Sequence, residues 1–210
     1  MISQPTAIRV LIVDDHSVIR RGLAAIINRD PEIAVIAQAE DGEQAIALFR
    51  EHQPDVTLMD LRMPQMDGVT AITAICTEFK TARIIVLTTY DGDEDIYRGL
   101  HAGAQGYLLK DARADELLNA IRIVHSGQKY VPQAVGAKLL QRMSKPELSE
   151  RELAVLRLMA QGMSNAEVAT ALGISESTVK SHVNRLLSKL GVNDRTQAVI
   201  VALKRGLISL

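Results

Sequence analysis

The run Ile8-Arg9-Val10-Leu11-Ile12-Val13-Asp14-Asp15 sets a short strand-like segment against two adjacent carboxylates. Apolar residues on consecutive positions suit a strand covered on both faces, as in a parallel sheet. Similar runs return at Ala34 to Ala37, Val56 to Met59, Ile84 to Leu87 and Gly106 to Leu109. Between them, apolar residues fall at helical spacing: Val18, Gly22, Leu23, Ile26 and Ile27, then Ala45, Leu48 and Phe49, then Val69, Ile72 and Ile75. Leu117, Leu118, Ile121 and Val124 close the series. Strand followed by helix, repeated, predicts an α/β domain over residues 1–127, a five-stranded doubly wound parallel sheet with helices on both faces.

Beyond Ser126-Gly127 the pattern weakens and Pro132 and Pro146 punctuate it. Residues 128–146 read as a linker holding a short helix at Ala134 to Met143. Residues 147–210 read as an all-α domain of four helices. Ser149-x-x-Glu152 and Ser164-x-x-Glu167 fit capping boxes, in which Ser and Glu side chains each satisfy an orphan N–H at a helix start. Helices are therefore expected from about Glu150 and Asn165. Ser175 caps a third running to about Leu190 before Gly191, and a fourth covers about Arg195 to Lys204.

Composition narrows the function classes. The chain has 210 residues, 47% hydrophobic and 23% charged, the balance of a folded globular protein. Two Phe, four Tyr and no Trp give little platform for stacking single-stranded nucleic acid. Cys76 stands alone, which excludes a disulfide framework and fits a reducing compartment. Apolar runs such as Ala198 to Leu203 fall far short of the ~20 residues that cross a bilayer, so a cytoplasmic protein with no membrane partner is expected. The net charge of −1 hides an asymmetry. From Lys145 onward nine Lys and Arg face six Asp and Glu, a surplus of three positive charges, and the remainder carries −4. A polyanionic partner is expected on the C-terminal side.

In an open parallel sheet, functional groups gather at the carboxyl ends of the strands. Here Asp14 and Asp15 follow the first strand, Asp60 the third, Thr88 ends the fourth and Lys110 follows the fifth. Taken singly, an Asp at a strand end is more often a helix cap than a ligand; these groups gathered together at one edge are harder to explain so. Two like charges ~4 Å apart cost roughly 4 kcal/mol at an effective dielectric near 20, so something positive must sit among the carboxylates. Lys110 supplies one charge, and a hard divalent cation taking carboxylate and water ligands, Mg²⁺, would supply the rest. A carboxylate there can act as nucleophile toward phosphorus. None of the five His shows metal-ligand spacing, and Met59, Met63 and Met66 read as packing residues.

In Glu176 to Leu190, Val179, Val183, Leu186, Leu187 and Leu190 form one helix face. The opposite face carries Ser177, Lys180, Ser181, Asn184 and Ser188, flanked by Thr178, Arg185 and Lys189. Short polar and cationic groups of this kind suit phosphates and base edges. With Asn165 to Leu172 before it and a turn at Gly173, the pair reads as a helix-turn-helix; an ordinary amphipathic bundle helix is the rival. The last helix is apolar on more than one side, which suggests one stripe for the bundle and another for a second subunit.

Val13-Asp14-Asp15-His16, the run Met59 to Gly68, Leu87-Thr88-Thr89 and Gly106-Tyr107-Leu108-Leu109-Lys110 resemble the receiver domain of bacterial two-component response regulators. Leu148 to Glu152, Gly162 to Ala169 and Ser175 to Val183 resemble the LuxR-type DNA-binding domain that ends regulators of the NarL/FixJ family. The resemblance implies a flavodoxin-like receiver with Asp60 as phosphoacceptor. Asp14, Asp15 and the backbone carbonyl of Arg62 would join Asp60 around Mg²⁺. Lys110 and Thr88 would contact the phosphoryl group, with Thr88 favoured over Thr89 by the family spacing, and Tyr107 would change rotamer. On the DNA side, Lys180, Ser181 and Asn184 would face bases, and Thr178, His182, Arg185 and Lys189 would lie nearer phosphates. The implied partners are a sensor histidine kinase, promoter DNA, RNA polymerase and, in the active form, a second copy of the chain. The chain would then be a transcription factor and not an enzyme.

Three rivals remain at this point. A haloacid-dehalogenase-type phosphatase also uses an aspartyl nucleophile but needs a second Asp two residues later, where Arg62 stands. A flavodoxin-like FMN binder would not place Asp14-Asp15 where the phosphate goes. A DNA-binding regulator with a vestigial receiver is opposed by the full set Asp14, Asp15, Asp60, Thr88 and Lys110.

Overall fold

The computed structural model describes residues 7–89, 93–143, 148–205 and 207–208. The chain divides into two compact units, Met1–Arg142 and Met143–Leu210.

The first unit holds five strands, β1 (Ile8–Val13), β2 (Ile33–Ala39), β3 (Val56–Met59), β4 (Ile84–Thr88) and β5 (Gly106–Leu109). All pair in parallel in the order β2-β1-β3-β4-β5. Their side chains alternate between two cores. Leu11, Val13, Met59, Ile84, Val86 and Tyr107 enter one face, against α2 (Gly42–His52), α3 (Gly68–Glu78) and α4 (Asp93–His101). Val10, Ile12, Leu58, Ile85, Leu87 and Leu108 enter the other, against α1 (Ser17–Ile27) and α5 (Ala114–His125). Burial on both faces is why the strands read as unbroken apolar runs. The doubly wound α/β expectation holds, and β2 is longer at both ends than the Ala34 to Ala37 run.

The stretch 128–146, read above as a linker, belongs to the first unit as far as Arg142. Tyr130 bridges to Gly106 at the outer edge of β5, and α6 (Gln133–Met143) follows. Val131, Val135 and Leu139 recur every four residues and pack into the core shared with α3 and α4, which ties this stretch to the sheet. Residues 144–147, where the expected domain border falls, lie outside the described residues.

The second unit contains α7 (Glu150–Ala160), α8 (Asn165–Leu172), α9 (Glu176–Leu190) and α10 (Arg195–Lys204). Both capping boxes are formed, at Ser149 with Glu152 and at Ser164 with Glu167. Val155, Leu156, Met159, Val168, Val179, Leu186, Ala198 and Ala202 make its core. Between α8 and α9 the chain turns at Gly173, whose φ of +65° is left-handed and suits glycine. Among the described residues, no helix is long and apolar enough to cross a membrane.

Candidate functional site

The strand ends bring the expected residues of the first unit together. Asp60 follows β3 and is 3% exposed, and Asp14 after β1 is equally buried. Lys110 follows β5, its N–H donating to the Thr88 carbonyl. Its Nζ lies 2.6 Å from Asp60 Oδ2 and 2.6 Å from Asp14 Oδ2, so one ammonium serves two carboxylates. Burial pushes the Asp60 carboxyl above its ordinary value, more strongly than Lys110 pulls it down, and Asp14 adds to the rise. For Lys110 burial acts downward, but its contacts with Asp14 and Asp60 prevail and hold the ammonium charged.

Asp15 and His16 complete the rim. His16 Nδ1 lies 2.7 Å from Asp15 Oδ1 and 3.4 Å from Asp14 Oδ1, and the His16 N–H donates to Asp14 Oδ1 at 2.8 Å. Oxygen or nitrogen atoms of Asp14, Asp15, His16 and Asp60 all lie within 4.8 Å of one another. His16 is the member that sequence spacing missed, because it neighbours Asp15 in the chain instead of standing at a helical ligand interval. Oδ2 of Asp14 and Oδ1 of Asp15 are buried, the first against the Lys110 ammonium and the second against the His16 ring. Three carboxylates at one sheet edge, with one ammonium among them, are a hard oxygen donor set that fits a divalent cation. Thr88 is buried at the end of β4 and Thr89 is exposed. Tyr107 on β5 is fully buried. The Arg62 N–H donates to Asp60 Oδ1 at 3.3 Å, and its guanidinium pairs with Asp95 of α4 at 2.8 Å. Arg20 of α1 donates to the Asp14 carbonyl, a support that no motif announced.

The loop after Asp60 is fixed by Gly68. A Cβ there would lie 1.9 Å from the Asp60 carbonyl oxygen and 2.8 Å from Leu61 Cα, both backbone. Only glycine allows α3 to start so close to the acidic residue.

On α9, Thr178, Lys180, Ser181, Asn184 and Arg185 are exposed. Ser175 caps the helix, accepting from the Thr178 N–H at 3.2 Å. Lys180 pairs one turn back with Glu176 at 3.0 Å, an exposed pair of the kind worth little. His182 and Lys189 differ from the other five. His182 is half-buried with Nδ1 lacking a hydrogen bond. Lys189 Nζ sits 2.7 Å from Glu152 Oε2 of α7, a carboxylate that is itself buried. Its charge joins two helices of the bundle.

The receiver and helix-turn-helix geometries have counterparts among known proteins. Residues 10–122 match the response regulator receiver domain, and residues 146–202 match the bacterial regulatory proteins of the luxR family. The chain belongs to the NarL/FixJ family of response regulators. It is 42% identical to the transcriptional regulatory protein LiaR of Bacillus subtilis, over 96% of this chain and 100% of that one. The response regulator protein VraR of Staphylococcus aureus is 41% identical over 96% and 99% of the two chains. Among solved structures, the response regulator ChrA of a heme-sensing two-component system is 40% identical over 96% of this chain and 99% of that one, with a TM-score of 0.58. The RcsB response regulator of Salmonella typhimurium is 29% identical over 91% and 97%, with a TM-score of 0.75. An RcsB–DNA complex is 28% identical over 94% and 98%, with a TM-score of 0.72. NarL/FixJ regulators control transcription and are not enzymes, so the phosphatase and FMN-binding rivals are set aside.

Proposed function

We propose that this regulator is switched by phosphoryl transfer from a sensor histidine kinase to Asp60 and, once modified, binds promoter DNA as a homodimer. The observation that carries the reading is the buried ammonium of Lys110 shared at 2.6 Å by Asp14 and Asp60. Fixed positive charge beside a buried carboxylate is suited to hold a phosphoryl group there, where oppositely charged donors count for more than in water. Asp60 supplies the attacking oxygen. The kinase phosphohistidine supplies the phosphorus, and as the P–N bond breaks its electron pair leaves with the imidazole, which takes up a proton. Lys110 and the Thr88 hydroxyl would then hold phosphoryl oxygens. Asp14, Asp15, Asp60 and the Arg62 carbonyl would hold Mg²⁺, which when bound supplies the remaining positive charge for the transfer. Tyr107 would repack as Thr88 moves.

In the second unit, Lys180, Ser181 and Asn184 would meet base edges in the major groove. Thr178 and Arg185, with His182 at the margin, would lie along phosphates; Lys189 reaches DNA only by leaving Glu152. RcsB is seen as dimers on DNA, and a two-fold pair of this chain would likewise present recognition helices to half-sites about one helical turn apart. The cytoplasm is the compartment where kinase domain, promoter and RNA polymerase meet, and it suits a chain with one free thiol.

Acetyl phosphate with Mg²⁺ should add one phosphoryl mass to the wild type and none to Asp60→Asn. Equal labelling of the variant would reject Asp60 as the acceptor.

A further inference from the structure

The edge of the sheet beyond β5 is occupied by a residue from the stretch after α5. Tyr130 lies parallel to Gly106; its N–H donates to the Gln105 carbonyl at 2.9 Å, and the Tyr107 N–H donates to the Tyr130 carbonyl at 2.9 Å. Alternation then sends neighbouring side chains to opposite faces. Tyr130 packs on the α1 and α5 side, its hydroxyl donating to Glu116 Oε1 of α5 at 3.0 Å. Val131, Val135 and Leu139 enter the other core, the one that buries Tyr107, and Val135 is 4% exposed there. From this anchorage α6 runs to Met143, where the second unit begins.

We propose that residues 128–139 form a strap that responds to the state of Tyr107 and passes it along the chain toward the DNA-binding unit. The proposal rests on Asp60 as phosphoacceptor and Tyr107 as the side chain that repacks. A close-packed core cannot deform smoothly, so moving the Tyr107 ring requires its packing neighbours to adopt a second arrangement. The main chain that moves with it is the one hydrogen-bonded to Tyr130. An edge held by two main-chain bonds and one side-chain bond opens more easily than the sheet interior. Reciprocity follows: loosening the strap from its far side must bias the receiver toward the state in which it is released.

Hydrogen exchange on the full-length protein, with and without acetyl phosphate and Mg²⁺, tests this. Amides of 128–139 should exchange several-fold faster after phosphorylation, while β1 and β3 stay protected. Unchanged exchange in the strap, in protein whose mass shows full phosphorylation, overturns the proposal and leaves the Asp60 assignment intact. Failure to gain phosphoryl mass, or a gain that survives Asp60→Asn, overturns the assignment itself and the proposal with it. Tyr130→Phe keeps the ring and removes the bond to Glu116. It should speed strap exchange without phosphodonor and tighten operator binding of the unmodified protein about threefold, the scale of one net hydrogen bond. Faster strap exchange with unchanged operator affinity would overturn the link to DNA binding.

Discussion

At the scale of single residues, the proposed acceptor role of Asp60 sets function against stability. Asp60 is buried beside Asp14, and its raised pKa means that the folded state resists its charge. Asp60→Asn should therefore do more than abolish phosphorylation. In Mg²⁺-free buffer at neutral pH it should stabilise the receiver by on the order of 1 kcal/mol, as removal of strain at functional sites commonly does. A thermal melt lower than wild type would show that Asp60 is a net stabilising partner of Lys110. Asp15 is placed differently, on the rim with one buried oxygen against the His16 ring. Asp15→Ala should leave the Asp60 nucleophile in place but weaken the cation site, so that beryllofluoride with Mg²⁺ no longer produces the activated state. Full activation at ordinary Mg²⁺ would count against Asp15 as a ligand. These residues were legible in the sequence because each lies next to an unbroken apolar strand. Arg20 was not, since its role is a bond to the Asp14 main-chain carbonyl and nothing in residue spacing reports that.

At the scale of elements, legibility followed burial. The five strands and the helices α1, α2, α3 and α5 each carry several apolar residues at regular spacing. α4, by contrast, offers Ile96 as its buried anchor with Leu100 half-buried, too little to register as periodicity. The edge at Tyr130 was hidden behind Pro132, which punctuates the sequence without breaking α6. In the DNA-binding unit the helices were readable from caps and turns, but the partner of Lys189 was not. Glu152 was visible as a capping residue, and it is also the ion-pair partner of α9. Burial raises the Glu152 carboxyl, but Lys189 and the Ser149 N–H and hydroxyl outweigh burial and hold it below its ordinary 4.5. A carboxyl whose folded pKa lies below its unfolded one contributes stability that is complete above the unfolded value and is lost as pH falls through the folded one. Wild type and Glu152→Gln should accordingly differ most in thermal stability at neutral pH and converge as the pH falls through the lowered folded value, below the ordinary carboxylate range. Lys189→Ala leaves Glu152 without its cation and should destabilise the second unit by about 1–3 kcal/mol, whereas Lys180→Ala should leave its melting unchanged. In the receiver, Gly68→Ala forces a Cβ into main-chain atoms at Asp60 and Leu61 and should cost about 1–3 kcal/mol or more, with slower phosphorylation as the loop is displaced.

At the scale of the whole molecule, two units of opposite charge are joined by one chain, and any switch must act across them. Moving a two-state equilibrium from 1:99 to 99:1 takes about 5.5 kcal/mol of differential stabilisation. The phosphoryl group adds about −1.5 to −2 charges in one pocket, so DNA and a second subunit are natural further contributors. The second unit offers a candidate surface for the latter: Ala198 and Ala202 of α10 are buried, while Ile200 between them is 47% exposed. An exposed branched apolar side chain between two core-facing alanines suits a two-fold contact. Two tethered recognition helices gain through effective concentration, and losing the contact should weaken binding to a two-half-site operator by about 10²-fold while single half-site affinity stays the same. Ile200→Asp, measured on duplexes carrying one or both half-sites, is the test, with melting temperature as the control for folding. A loss on the single half-site as well would place Ile200 in the DNA contact or the core, and equal binding to the two-half-site duplex would move the dimer to another face. Arg185→Ala should differ by weakening binding to both duplexes and lowering the salt slope by about one per subunit, because the proposed phosphate contact is lost wherever the helix docks.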